Sequence, residues 1–142
     1  MATDPLRELL AARHGGVLAT IKRDGRPQLS NVSYAYDAGA DRIRVSVTDN
    51  RAKVANLRRD PRVSFHVASQ DFWSYAVAEG TAELSAVAAD PRDATVEELI
   101  DVYREVQGEH PDWDDYRAAM VRDERIVLRI ALERVYGLIQ SR

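Results

Sequence analysis

Residues 45–65, "VSVTDNRAKVANLRRDPRVSF", decide how this chain is read. The strand that ends here alternates strictly over 41–48, with Ile43, Val45 and Val47 on one face and Arg42, Arg44, Ser46 and Thr48 on the other. A turn at Asp49–Asn50 leads into a short helix over 51–59, which stops before Asp60–Pro61. "RVSFHVA" (62–68) then alternates again, with Val63, Phe65 and Val67 inward. The oddity is the start of the helix. Its first turn carries Arg51 and Lys53, yet a helix N-terminus already bears free N–H groups and a partial positive charge.

The other helices of the same sequence begin the opposite way. The first starts at Asp4–Pro5, an N-cap followed by proline at the first helical position. A second, over 95–106, has Thr95 and Glu98 at capping-box spacing with Glu97 between them. A third, over 111–121, has Asp112, Asp114 and Asp115 in its first turn. Each cation at the 51–59 helix therefore costs about 0.3–1 kcal/mol unless an anion is bound. Free N–H groups with Arg51 and Lys53 make a compact phosphate site, in which the arginine fork takes two oxygens. Ser46 and Thr48 add hydroxyls, and Asn56 lies one to two turns along. The competing reading pairs Arg51 and Lys53 with Asp49 or Asp60 as surface ion pairs, and the sequence alone leaves both open.

Outward from this stretch the chain is mostly strand. The first helix is expected to end at Gly15–Gly16. "VLATIK" (17–22) and "QLSNVSYAYD" (28–37) flank the hairpin signal "DGRP". "WSYAVAEGTAEL" (73–84) is a long strand with Gly80 as a bulge, and "RIVLRIALERVYGLI" (125–139) closes the chain. The expectation is six strands, a short helix between the third and fourth, and a helical pair before the last. Short strands with tight turns give a small antiparallel barrel, in one domain over 1–142.

Composition removes several function classes. There is no cysteine, so disulfides, thiolate metal sites and cysteine nucleophiles are out. Formal net charge is −3, which gives no basic excess for nucleic acid. No apolar run approaches the ~20 residues that span a bilayer, so a cytoplasmic protein without membrane contact is expected. His14, His66 and His110 have no metal-ligand spacing. No nucleophile elbow or glycine-rich dinucleotide loop occurs. Arg58 and Arg59, near the helix end, suit the dipole.

The order of elements and four stretches, "GVLATIKRDGRPQLSNVSY" (16–34), "NRAKVANLRRDPRVS" (50–64), "WSYAVAEGTAEL" (73–84) and "DWDDYRAAMVRDERIVLRI" (112–130), resemble the split β-barrel flavin and deazaflavin oxidoreductases. That superfamily includes the pyridoxamine 5′-phosphate oxidases, and the match is nearest its actinobacterial branch that uses coenzyme F420. The resemblance implies a homodimer with the cofactor between two barrels. It implies cofactor contacts for Arg51, Ala52, Lys53 and Asn56 at the phosphate, and for Gln28, Ser30 and Ser46 along the ring and ribityl chain. Trp73 and Tyr75 match positions contributed by the other subunit. One departure matters. Pyridoxamine phosphate oxidases end in an arginine-bearing segment for their substrate, whereas this chain ends "ERVYGLIQSR", with Arg134 inside the strand and Arg142 at the tip. The resemblance thus implies hydride transfer from reduced F420 to a small organic substrate rather than vitamin B6 chemistry. An FMN enzyme of the same fold, or a protein that only carries the cofactor, are the alternatives. Tyr34, Tyr75 and His66 are the candidate proton donors.

Overall fold

The computed structural model describes residues 4–140. Arg142 lies outside them. Seven strands form one antiparallel sheet in the order β2-β1-β5-β6-β7-β4-β3. They are β1 (Gly15–Ile21), β2 (Pro27–Ser33), β3 (Ala35–Asp37), β4 (Arg42–Thr48), β5 (Arg62–Ala68), β6 (Tyr75–Leu84) and β7 (Arg125–Leu138). The helices are α1 (Pro5–Ala12), α2 (Ala52–Arg59), α3 (Ala94–Gln107) and α4 (Trp113–Arg122). None of the described helices is long and apolar enough to cross a membrane.

The seventh strand corrects the expected six. Residues 28–37 do not run as one strand, because Tyr34 and Ala35 are both buried and the two-residue alternation breaks between them. The chain leaves the β1 ladder at Ser33 and joins the β4 ladder at Ala35. The two edges of the sheet are therefore two halves of one segment, and the sheet curls into a half-barrel whose open seam lies between β2 and β4. Tyr34 pins the switch. It is fully buried, packs edge-on against Phe65 at 5.0 Å, and its hydroxyl donates to the Leu10 carbonyl of α1 at 2.6 Å.

Two further expectations change. Gly15 and Gly16 open β1 rather than cap α1, and a side chain at Gly16 would stand 2.3 Å from the Phe65 ring. Asp93, not Thr95, caps α3, accepting from the Val96 N–H at 2.9 Å, while the Thr95 hydroxyl donates to the Ala86 carbonyl. Glu98 is then free to turn toward the sheet, where it accepts from Arg129 and lies 3.6 Å from the largely buried Arg44. The bulge falls at Glu79/Gly80 as expected, with Glu133 as the extra residue on β7. A side chain at Gly80 would meet the Ala131 carbonyl oxygen at 2.1 Å.

The main core fills the half-barrel with Leu18, Ile43, Phe65, Leu128 and their neighbours. A second, smaller core under α3 and α4 holds Leu99, Ile100, Tyr116, Met120 and Val127. This helical pair is laid over β4 and β7, beside the seam.

Candidate functional site

The start of α2 sits at the seam. Arg51 is its N-cap and makes no side-chain cap, so the helix start lacks the aspartate found elsewhere. The other three helices are capped by Asp4, Asp93 and Asp112. The acids that could neutralise Arg51 and Lys53 are engaged with other bases. Asp49 pairs with Arg58, and Asp60 holds Arg62 at 2.7 Å. Among the described residues neither Arg51 nor Lys53 has a carboxylate partner. The surface-pair reading therefore fails for these two cations.

Both line a cavity of about 460 Å³ in the seam. Ser46 and Thr48 of β4 form one wall, Asn31 and Ser33 of β2 another, and α3 and α4 close the far side with Tyr103, Val106, Tyr116 and Met120. A third cation, Arg125, enters from the first position of β7, directly across the ladder from Thr48. Its Nη1 lies 3.5 Å from both the Ser46 hydroxyl and carbonyl oxygens, and its Nε is buried with no partner. Among the described residues no carboxylate lines the cavity. Burial, then repulsion from Arg51 and Arg125, holds the Lys53 ammonium below the ordinary lysine range. Three close cations, an orphaned buried guanidinium N–H and an uncapped helix start fit an anion with several oxygens, such as a phosphate.

The remaining residues singled out in the sequence fall in two other places. Asn56 is buried behind the helix start, outside the cavity lining. Its amide donates to the Thr20 hydroxyl at 3.1 Å and its carbonyl accepts from Arg59 at 3.1 Å. Thr20 donates to Gln28 at 3.0 Å, and Gln28 donates to Ser30 at 3.3 Å. Asn56, Gln28 and Ser30 are thus links of one chain that ties α2 to β1 and fixes the β2 amide. Trp73 precedes β6 on an exposed loop, and Tyr75 stacks on His66 with ring centroids 5.6 Å apart. Neither lines the seam cavity of its own chain. Arg59 donates to the Ile21 carbonyl, which makes Arg58 and Arg59 structural as the helix end suggested. No group of three or more metal-ligating side chains occurs among the described residues.

The curled antiparallel half-barrel is the fold of the flavin-binding split barrels. The family model described as pyridoxamine 5′-phosphate oxidase matches residues 2–139, and the chain belongs to that family. Solved structures share the fold across nearly the whole chain. A conserved hypothetical protein of Mycobacterium tuberculosis is 27% identical, with a TM-score of 0.73 over 96% of this chain and 84% of that one. An F420 reductase is 24% identical, with a TM-score of 0.69 over 95% and 98%. An FAD-binding protein of Mesorhizobium loti is 25% identical, with a TM-score of 0.64 over 92% and 87%.

Proposed function

We propose that this protein is a coenzyme F420-dependent reductase, passing hydride from the reduced deazaflavin to a small organic substrate, and that it works as a homodimer. The observation that carries the reading is the trio Arg51, Lys53 and Arg125, which lines one seam cavity and has no carboxylate partner among the described residues. The trio holds the cofactor phosphate, with the Ala52 and Lys53 N–H groups beneath it. Ser46 lies beside it, and the Thr20–Gln28–Ser30 chain presents a fixed amide for the ring and ribityl portion. Trp73 and Tyr75 reach the partner's cofactor. When bound, the cofactor supplies the hydride chemistry, and the protein supplies binding, orientation and exclusion of water. The fold is shared by an F420 reductase and an FAD-binding protein, so it accommodates both ring systems.

The test is a parallel titration of apo-protein with F420 and with FMN, followed by fluorescence. F420 is expected to bind at least ~tenfold more tightly, about 1.4 kcal/mol. Equal or reversed affinities replace the deazaflavin with FMN. Binding of neither overturns the cofactor reading. Tight F420 binding without oxidation of the reduced form by any small organic acceptor identifies a carrier instead of an enzyme.

A further inference from the structure

We propose that a second cavity, beside the cation cavity on the face of β1 and β5, is the acceptor site, and that His66 donates the proton that completes the reduction there; this rests on the cofactor reading above. The cavity has a volume of about 580 Å³. Gly15, Val17, His66, Ala68 and Phe72 line it. It shares Asn31, Val32 and Ser33 with the cation cavity, so the two adjoin along β2.

The two cavities differ in charge. The first carries Arg51, Lys53 and Arg125; the second has His66 as its one ionisable lining residue among those described. An anionic cofactor end belongs in the first, and an uncharged body belongs in the second. Phe72 forms the outer wall at a backbone φ of +73°, a region in which a bulky side chain is strained. Phe72 is 80% exposed and would be covered by a molecule lying against it.

Hydride addition to an uncharged acceptor with a polarised double bond requires a proton. The hydride, from a reduced cofactor of the deazaflavin or flavin class, forms a C–H bond as the acceptor's π bond breaks. The displaced electron pair leaves an anion, and an imidazolium N–H neutralises it. The imidazole then takes its proton back from water. Imidazole is the side chain whose ordinary titration spans neutral pH. Two tyrosine hydroxyls near the cavities are committed elsewhere. Tyr34 is sealed in the core on the Leu10 carbonyl, and Tyr116 donates to the Leu99 carbonyl. Tyr75 lies behind His66 as a stacked ring. Around His66, Val17 and Val77 are its ladder partners on β1 and β6. Further along the same face stand Arg62 and Glu79, with Arg134 of β7 opposite Glu79. No charged residue is a direct neighbour of His66 in the ladders.

The experiment uses full-length protein and 2-cyclohexen-1-one as the acceptor probe. Wild type and His66→Gln are first titrated with F420 and FMN. Affinities equal within about twofold are expected, because His66 does not hold the phosphate. Wild type that binds neither overturns the cofactor reading, and this inference with it. In loaded wild type, the probe is expected to shift the His66 ring signals in the NMR spectrum and leave those of His14 and His110 in place. Oxidation of the bound reduced cofactor by the probe in a single turnover should be slower by at least about tenfold in His66→Gln. The alkaline fall in the wild-type rate should share its midpoint with the His66 titration seen by NMR, and should be lost in the variant. An unmoved His66 signal, no oxidation by wild type, or an unchanged rate and pH profile in His66→Gln overturns the assignment. If that variant does not fold, His66→Asn and the wild-type NMR titration decide.

Discussion

Asp49 accepts a hydrogen bond from Arg58, two turns along α2, and not from Arg51 beside it. This places the one acid in the turn before the helix on the wrong side to neutralise the helix start. Asp60 is similarly taken by Arg62, through both carboxylate oxygens at 3.0 and 2.7 Å. Arg51 and Lys53 therefore repel each other, oppose the helix dipole and meet a third cation, Arg125, with no carboxylate among the described residues to offset them. An arrangement that weakens the empty protein is expected where a ligand restores the balance.

The first prediction is a pair of opposite signs. Lys53→Gln removes a cation that opposes the dipole, so apo stability should hold or rise by up to ~1 kcal/mol. Cofactor binding should weaken by about 1.5–3 kcal/mol, because a charge-assisted contact is lost. Arg51→Gln and Arg125→Gln should show the same pattern, with at least as large a loss in binding where a guanidinium fork is removed. Melting temperatures with and without cofactor read both signs at once. A loss of binding below ~0.5 kcal/mol in all three variants, the scale of an ordinary surface change, would mean that the cavity is not the phosphate site.

Lys53 also supplies a pH signature. Burial, then Arg51 and Arg125, lowers its folded titration relative to the unfolded chain. Between the folded and ordinary lysine values the unfolded chain binds more protons, so the empty protein should gain stability as pH rises through that window. A bound phosphate favours the charged amine and should move the titration back up. The chain has only two lysines, Lys22 and Lys53, so ¹³C-methylation gives two lysine signals to follow. A Lys53 signal that titrates identically with and without cofactor would sink this electrostatic account.

The parts of this arrangement that were legible in the sequence are those carried by local order. Strand alternation at 41–48 and 62–68, the short helix between them and its misplaced cations all depend on residues within a few positions. The split of residues 28–37 at Tyr34 was hidden, because both halves have strand character and only the curled sheet shows two buried side chains in succession. Thr95 and Glu98 satisfied a capping-box spacing, but Asp93 lay two residues earlier and took the N–H groups of Val96, Ala89 and Asp90. Arg125 was not visible at all. Its approach to Ser46 depends on a β4–β7 pairing between residues 79 positions apart, for which the local sequence carries no signal. The reach of Asn56 toward Thr20 was not legible either, since it depends on β1 packing behind α2.

Glu98 gives the third prediction. It accepts from Arg129 at 2.5 Å and lies beside Arg44, anchoring α3 over the sheet next to the cavity. Burial raises its carboxyl, but the Arg129 hydrogen bonds and the charges of Arg129 and Arg44 outweigh it, and the group ends below its ordinary value. Its contribution is therefore present above the unfolded glutamate value and lost as pH falls through the lower folded one. Glu98→Gln should destabilise the fold by about 1–3 kcal/mol, since Arg129 loses its main partner and Arg44 one of its two carboxylates. It should also flatten the acid side of the stability profile. Chemical denaturation of both proteins across pH 3–7 measures it, with pH limits set about the ordinary carboxylate range. Parallel profiles for the two would rule out the anchoring role.

The last prediction concerns the second copy of the chain. Tyr75, Val77, Tyr136 and Leu138 lie together on the outer face of β6 and β7, where Tyr75 pairs with Leu138 and Val77 with Tyr136. Tyr136 is 42% exposed and Leu138 52%, and Trp73, at 59%, stands at the head of the same strand. A face of this kind gains most when it is covered, at about 25 cal/mol for each Å² of apolar surface removed from water. A two-fold pairing through it should bury more than ~1,000 Å² in total. It would also bring each Trp73 and Tyr75 toward the partner's seam. Light scattering at micromolar concentration should give twice the 16.0 kDa chain mass. Leu138→Asp places a charge in the middle of the contact and should shift the population to monomer. It should also weaken cofactor binding, although Leu138 lines neither cavity of its own chain. A wild-type monomer would refute the pairing. A Leu138→Asp monomer that binds cofactor as tightly as wild type would show that each barrel holds its cofactor alone.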